Sequence, residues 1–126
     1  MTEIEANEKC LSRIVGEQLT AVMFVMDYLK FQFNDPVLTV LTSVLVRIPD
    51  RTYQLGDLPW RDSLCDRMTR AVSEVFLTMD QLQIRFDDGS SFLVSLKDEA
   101  RAGNEAMIFE YRNAPEPWQM LVMHIV

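Results

Sequence analysis

The stretch LCDRMTRAVSEVFLTMDQLQIRFDDGSSFLVSL, residues 64–96, has a degenerate partner in LSRIVGEQLTAVMFVMDYLKFQFNDPVLTVL, residues 11–41. Sliding one on the other by 53 positions, the distance from Leu29 to Leu82, also pairs Leu11 with Leu64, Val22 with Val75, Met26 with Met79, Asp27 with Asp80, Phe33 with Phe86 and Asp35 with Asp88. Conservative pairs fall in the same register: Leu19 with Val72, Phe24 with Leu77, Phe31 with Ile84. Apolar residues coincide often by chance, so the matched Met-Asp pair and the matched turn residues carry most of the weight. A period of this length points to one unit used twice, with copies at about 8–46 and 61–97. It sets the architecture and leaves the chemistry open.

Each copy reads as a helix followed by three strands. In the first, Leu11, Ile14 and Val15 recur at helical spacing, and Glu3, Glu5 and Glu8 complement the positive end of the helix dipole. Gly16 is a natural stop, because it takes the left-handed conformation that closes a helix. LTAVMFVM is rich in β-formers and apolar on both faces, YLKFQF alternates with Leu29, Phe31 and Phe33 inward, and Asp27 turns the chain between them. Asn34, Asp35 and Pro36 make the next turn, and VLTVLTSVLVRI continues as a third strand, broken or bulged near Thr42 and Ser43.

The connector PDRTYQLGDLPWRDS is punctuated as a loop by Pro49, Gly56 and Pro59, with Tyr53 at its tip and Trp60 and Arg61 at its exit. In the second copy Ser63 and Asp66 stand at the spacing of a capping box, and Leu64, Met68, Ala71 and Val72 share a helix face. Val75, Leu77 and Met79 alternate, as do Leu82, Ile84 and Phe86; Asp87, Asp88 and Gly89 form a hairpin turn before SFLVSL. A polar loop, the strand AMIFEY, the turn NAPEP and the strand WQMLVMHIV then make a C-terminal hairpin over about 105–126. The prediction is an α+β fold, mainly antiparallel, with residues 1–126 in one domain. Its strands curve into a single sheet or partial barrel around Phe24, Phe31, Phe33, Phe86 and Phe92.

With 126 residues, 48% of them hydrophobic and 25% charged, the chain is long enough to bury a core of its own. The first ten residues, MTEIEANEKC, carry acids where a secretion signal carries basic and apolar runs, and no segment has the length of a membrane span. A cytoplasmic location is expected, with no membrane partner. Cys10 and Cys65 are then expected as thiols on two short helices rather than as a disulfide. The net charge of -7 disfavours nucleic acid, whose recognition needs a basic stripe. Acids are in excess after Asp87, where Asp87, Asp88, Asp98, Glu99, Glu105, Glu110 and Glu116 face Lys97, Arg101 and Arg112.

Catalytic and metal motifs are missing from the sequence. His124, the single histidine, lies in an apolar strand with no acid beside it, and two cysteines plus one histidine give no zinc spacing. Four scattered glycines make no phosphate loop. No metal, cofactor or covalent catalysis is therefore expected. Asp98, Glu99 and Glu105 are the carboxylates to consider for acid-base chemistry, and Tyr53, Trp60 and Arg61 are the candidates for a binding contact on the long connector.

WRDSLCDRM, QIRFDDGSSFLVSL and NEAMIF resemble a group of small uncharacterised bacterial proteins, in which a helix, hairpin and third strand precede a polar loop and a Glu-Ala pair, here Glu105 and Ala106. The resemblance spans the second half of the chain, implies a bacterial cytoplasmic domain and transfers no site residues. In size and charge the chain also resembles toxin-neutralising immunity proteins. The expectation is a protein-binding module for a partner with a basic surface, immunity- or antitoxin-like. The alternatives are a small-molecule binder using the interior of the sheet and a carboxylate acid-base enzyme. The last strand, apolar on both faces, raises the prospect of a homodimer.

Overall fold

The computed structural model describes residues 2–26, 28–97 and 106–111, and the backbone of 121–125. Helix α1 (Glu3–Leu11) is capped by Thr2, whose Oγ1 accepts the Glu5 N–H at 3.1 Å. A 3-10 turn (Ser12–Ile14) follows, and the chain reverses at Gly16 with φ 87°. Strands β1 (Ala21–Val25), β2 (Tyr28–Gln32) and β3 (Val37–Val40) form an antiparallel meander, and β4 (Val44–Ile48) and β5 (Arg51–Tyr53) form a hairpin. Helix α2 (Trp60–Cys65) opens the second half. It leads into a second meander, β6 (Val72–Leu77), β7 (Gln81–Phe86) and β8 (Ser91–Ser95), and a second antiparallel pair, β9 (Met107–Tyr111) and β10 (Leu121–Ile125).

These strands make two five-stranded antiparallel sheets, ordered β1-β2-β3-β9-β10 and β5-β4-β8-β7-β6. Each meander is thus completed by the hairpin of the other half. The helices cross over too, with α1 packed on β6 and α2 on β1 and β4. The fold is α+β and mainly antiparallel, with two sheets where one curved sheet was expected. The reason lies in VLTVLTSVLVRI, which is two strands in different sheets, parted at residues 41–43. Either half of that run is apolar enough to be a buried strand, so periodicity alone does not reveal the break. The connector likewise holds β5, and α2 begins at Trp60 after Pro59, so Ser63 lies buried inside the helix instead of capping it. The expected turn at Asp27 lies outside the described residues.

Registers in the two halves correspond pair for pair. Phe24 faces Leu29 as Leu77 faces Leu82, and Val22 faces Phe31 as Val75 faces Ile84. Leu38 faces Phe109 as Phe92 faces Val46, and Arg47 faces Thr52 as Glu110 faces Val122. The segments ahead of β1 and β6 pair with each other. Gly16 N–H donates to Val72 O and Thr69 N–H to Leu19 O, both at 2.8 Å; Val72 N–H donates to Glu17 O at 2.9 Å and Leu19 N–H to Arg70 O at 3.1 Å. Exchanging 16 with 69, 17 with 70 and 19 with 72 turns each bond of a pair into the other.

Both sheets contribute to one core, in which Phe31, Phe33, Phe86, Phe92 and Phe109 are fully buried. Phe31 of the first sheet meets Phe92 of the second with ring centroids 4.7 Å apart, and Phe86 lies edge-on to Phe92 at 4.9 Å. Phe24, expected in this core, is 38% exposed instead. As an edge strand, β1 has a face that the second sheet does not cover. Among the described residues β10 has a strand neighbour on one side alone, at the outer edge of its sheet.

Thr69 occupies the left-handed region, φ 75°, at the position matching Gly16. A Cβ at Gly16 would meet nothing within 4 Å, so conformation and not space favours glycine there. The left-handed backbone costs a side-chain-bearing residue about 1–2 kcal/mol, and glycine returns about 0.5–1 kcal/mol of that in chain entropy. Thr69→Gly should therefore stabilise the fold by roughly 0.5–1 kcal/mol, measured by urea denaturation.

Candidate functional site

The connector forms one wall of an apolar cleft. Gly56 with φ 103° and Asp57 close a tight turn in which Asp57 Oδ2 accepts the Gln54 N–H at 2.9 Å and Asp57 N–H donates to Gln54 O at 3.0 Å. Trp60 N–H then donates to Asp57 O at 3.1 Å, so the turn runs straight into α2. The turn holds Leu55 outward, 73% exposed, and leaves Leu58 96% exposed.

Trp60 itself points inward, 6% exposed, with its indole Nε1–H donating to Val44 O at 3.0 Å. It lids the core and fixes α2 against the start of β4. Its ring meets Phe24 edge-on at 6.1 Å, and the Arg61 guanidinium carbon lies 5.4 Å from the Phe24 ring centroid. That distance is within range of a cation–π contact.

Between the end of β1, the start of β4 and the connector lies a cleft of about 410 Å³, lined by Phe24, Met26, Tyr28, Thr42, Ser43, Gln54, Leu55, Trp60 and Arg61 among others. The size suits a small ligand or an inserted side chain, both of which favour apolar walls with a few polar groups. The Thr42 hydroxyl is buried without a hydrogen-bond partner on this wall. Met26, 99% exposed, stands at its rim.

Of the residues singled out in the sequence, the structure brings Trp60 and Arg61 together. Tyr53 ends β5, half-buried against the core, and is not part of the cleft wall. Asp98, Glu99 and Glu105 lie outside the described residues. Phe24, Met26, Leu55 and Leu58 were not anticipated. The signal for the two leucines was present, since QLGDLPW puts large apolar residues into a segment otherwise punctuated for solvent.

The ionisable groups elsewhere read as structural. Asp88 ties the β7–β8 turn to the segment after α2. It accepts from Ser90 N–H and Ser90 Oγ, and pairs with Arg67 at 3.2 Å and Arg70 at 3.0 Å. Burial pushes the Asp88 carboxyl up, but the Ser90 hydrogen bonds and the two guanidinium groups outweigh it and hold it below the usual range. Burial raises the Cys10 thiol against the opposing pull of Arg13; burial, with Asp62 and Asp66 adding to it, raises Cys65. Both thiols are free, and neither environment favours the nucleophilic thiolate. Among the described residues no three His, Cys, Asp or Glu side chains converge as metal ligands, and no helix is long and apolar enough to cross a membrane.

Compared with protein-family models, with curated proteins and with solved structures, the chain matches none.

Two outcomes follow from this geometry. Trp60→Phe strands the Val44 carbonyl and should cost about 1–3 kcal/mol in urea denaturation, with the cleft floor loosened. A carboxyl whose folded pKa is depressed adds stability above its unfolded pKa of about 3.9, and that stability disappears as pH falls through the folded value. Asp88→Asn should therefore cost about 1 kcal/mol at pH 7, and the gap from the parent protein should narrow as pH falls below the unfolded value of about 3.9 and close below the depressed folded one.

Proposed function

We propose that the protein is a non-catalytic binding module that docks another protein on the rim of the Trp60–Arg61 cleft. The observation that carries this reading is the clustering of solvated apolar side chains there. On the cleft wall Met26 is almost fully exposed, Leu55 is 73% exposed and Phe24 38%, and Leu58, 96% exposed, follows on the same connector. A grouped apolar surface of this kind is costly in water and marks contact sites more often than bare solvent. Trp60, already immobilised by its bond to Val44 O, would supply a rigid floor at small entropy cost.

The partner in this reading has a basic surface, and the role is immunity- or antitoxin-like. The net charge of -7 supports it, since opposite charge speeds encounter. The interior of the fold gives the small-molecule alternative little room, because the five buried phenylalanines fill it. As part of the same proposal, the chain consists of two copies of one helix-plus-strands unit, each lending its last hairpin to the other. The matching registers and the exchange-symmetric bonds at 16–19 and 69–72 support that origin. A second copy of the chain is the other partner that the open β10 edge favours.

Met26→Asp and Leu58→Asp test the docking surface. Each should leave the melting temperature within about 2 °C, because neither side chain is buried. Each should also abolish capture of a basic partner that, with the parent protein, weakens between about 0.01 M and 0.15 M salt. A partner retained by both variants, or insensitive to salt, removes the reading.

A further inference from the structure

Arg61 and Glu8 occupy corresponding positions in the two halves, 53 residues apart, as do Phe24 and Leu77. In one half the Glu8 carboxylate reaches the open edge of β6 and accepts the Leu77 N–H at 2.8 Å. The edge amide that no strand pairs is thus satisfied by a carboxylate from the helix.

The other half has the same edge and the opposite charge. Phe33 N–H donates to Pro36 O, closing the β2–β3 turn, so by the alternation of antiparallel pairs Leu29 directs its own peptide groups toward β3. Its partner across the β1–β2 ladder is Phe24, which therefore directs its N–H off the open edge of β1. Among the described residues nothing accepts that N–H. Where Glu8 would stand by correspondence, the chain presents Arg61, a donor that cannot accept. The Phe24 N–H and the Arg61 guanidinium both belong to residues of the cleft wall that Trp60 shares, and among the described residues no hydrogen bond or ion pair joins either to an acceptor.

We propose that the Trp60–Arg61 cleft binds a small carboxylic acid, its carboxylate taking the place that Glu8 fills in the other half and its apolar body lying in the cleft against Phe24 and Leu55. A carboxylate has acceptors for both donors, and charge-assisted bonds to a guanidinium and a backbone amide are the stronger class. The body of the acid is aromatic or branched, matched to aromatic walls and to a volume of about 410 Å³. The site does not rest on a protein partner, and the purified chain suffices to test it.

Phenylacetate is the probe, its neutral isostere phenylacetamide the control, and the amide resonances of the labelled protein the readout. Phenylacetate should bind with a Kd on the order of 1 mM and move the Phe24 amide proton downfield, whereas phenylacetamide should leave it in place. Arg61→Glu restores the Glu8 arrangement. In that variant the Phe24 amide should already lie downfield, the fold should be no less stable, and phenylacetate should bind at least about tenfold more weakly. Arg61→Met, which offers the amide no comparable acceptor and carries no charge, should lose binding without the downfield shift. Equal binding of phenylacetate to the parent and Arg61→Glu proteins would overturn the proposal, as would a Phe24 amide that does not respond. Tighter binding of the dipeptide Gly-Phe than of phenylacetate would assign the carboxylate to a chain end and overturn the assignment to a free acid.

Discussion

Four backbone hydrogen bonds between residues 16–19 and 69–72 hold the place where the two halves of the chain meet. Every larger feature depends on them. They set the segments ahead of β1 and β6 side by side, and from there the meanders run in opposite directions into separate sheets. Each sheet still lacks its last two strands, which arrive from the other half, and each first strand is flanked by the other half's helix. Neither half has a closed core alone. The stability of the chain is therefore cooperative across residues far apart in sequence, with Phe31 and Phe92 in contact although 61 positions separate them.

Much of this was legible in the residues, and the failures have physical causes. The 53-residue register agrees with the strand pairing, in which Leu29 faces Phe24 as Leu82 faces Leu77, because a strand buried on one face keeps its apolar residues at a period of two. The exchange of hairpins was not legible. It requires the chain to leave a sheet at residues 41–43, and the local pattern VLTVLTSVLVRI is as apolar after the break as before it. A local period reports burial and says nothing of which sheet does the burying. The C-terminal pair was read as an addition for the same reason. The pair that completes the other sheet, β4 and β5, was hidden inside a supposed third strand and loop.

The site was half legible. Trp60 and Arg61 stood out as an aromatic and a cation on a long connector, and they do line the cleft. Phe24 did not, since a phenylalanine in a β-rich run is usually core. Its exposure follows from its place on an edge strand, which only the sheet order reveals. The carboxylates Asp98, Glu99 and Glu105 had neither a pattern nor a described position to recommend them.

The β1 and β6 edges pose the same chemical problem and meet it in different ways. An edge strand bares one peptide N–H in every two residues, and proteins cover or charge such edges to prevent association. At β6 the helix does so with a carboxylate. At β1 the corresponding helix residue is Arg61, and the helix turns an indole and a guanidinium toward Phe24. Cation–π contact with Phe24 offsets part of the cost of placing that charge there, but among the described residues no acceptor meets the amide. The β6 edge satisfies its Leu77 amide from the helix, whereas the β1 edge sets an indole and a guanidinium beside an amide for which the described residues supply no acceptor, and an unmet donor in such a place is costly.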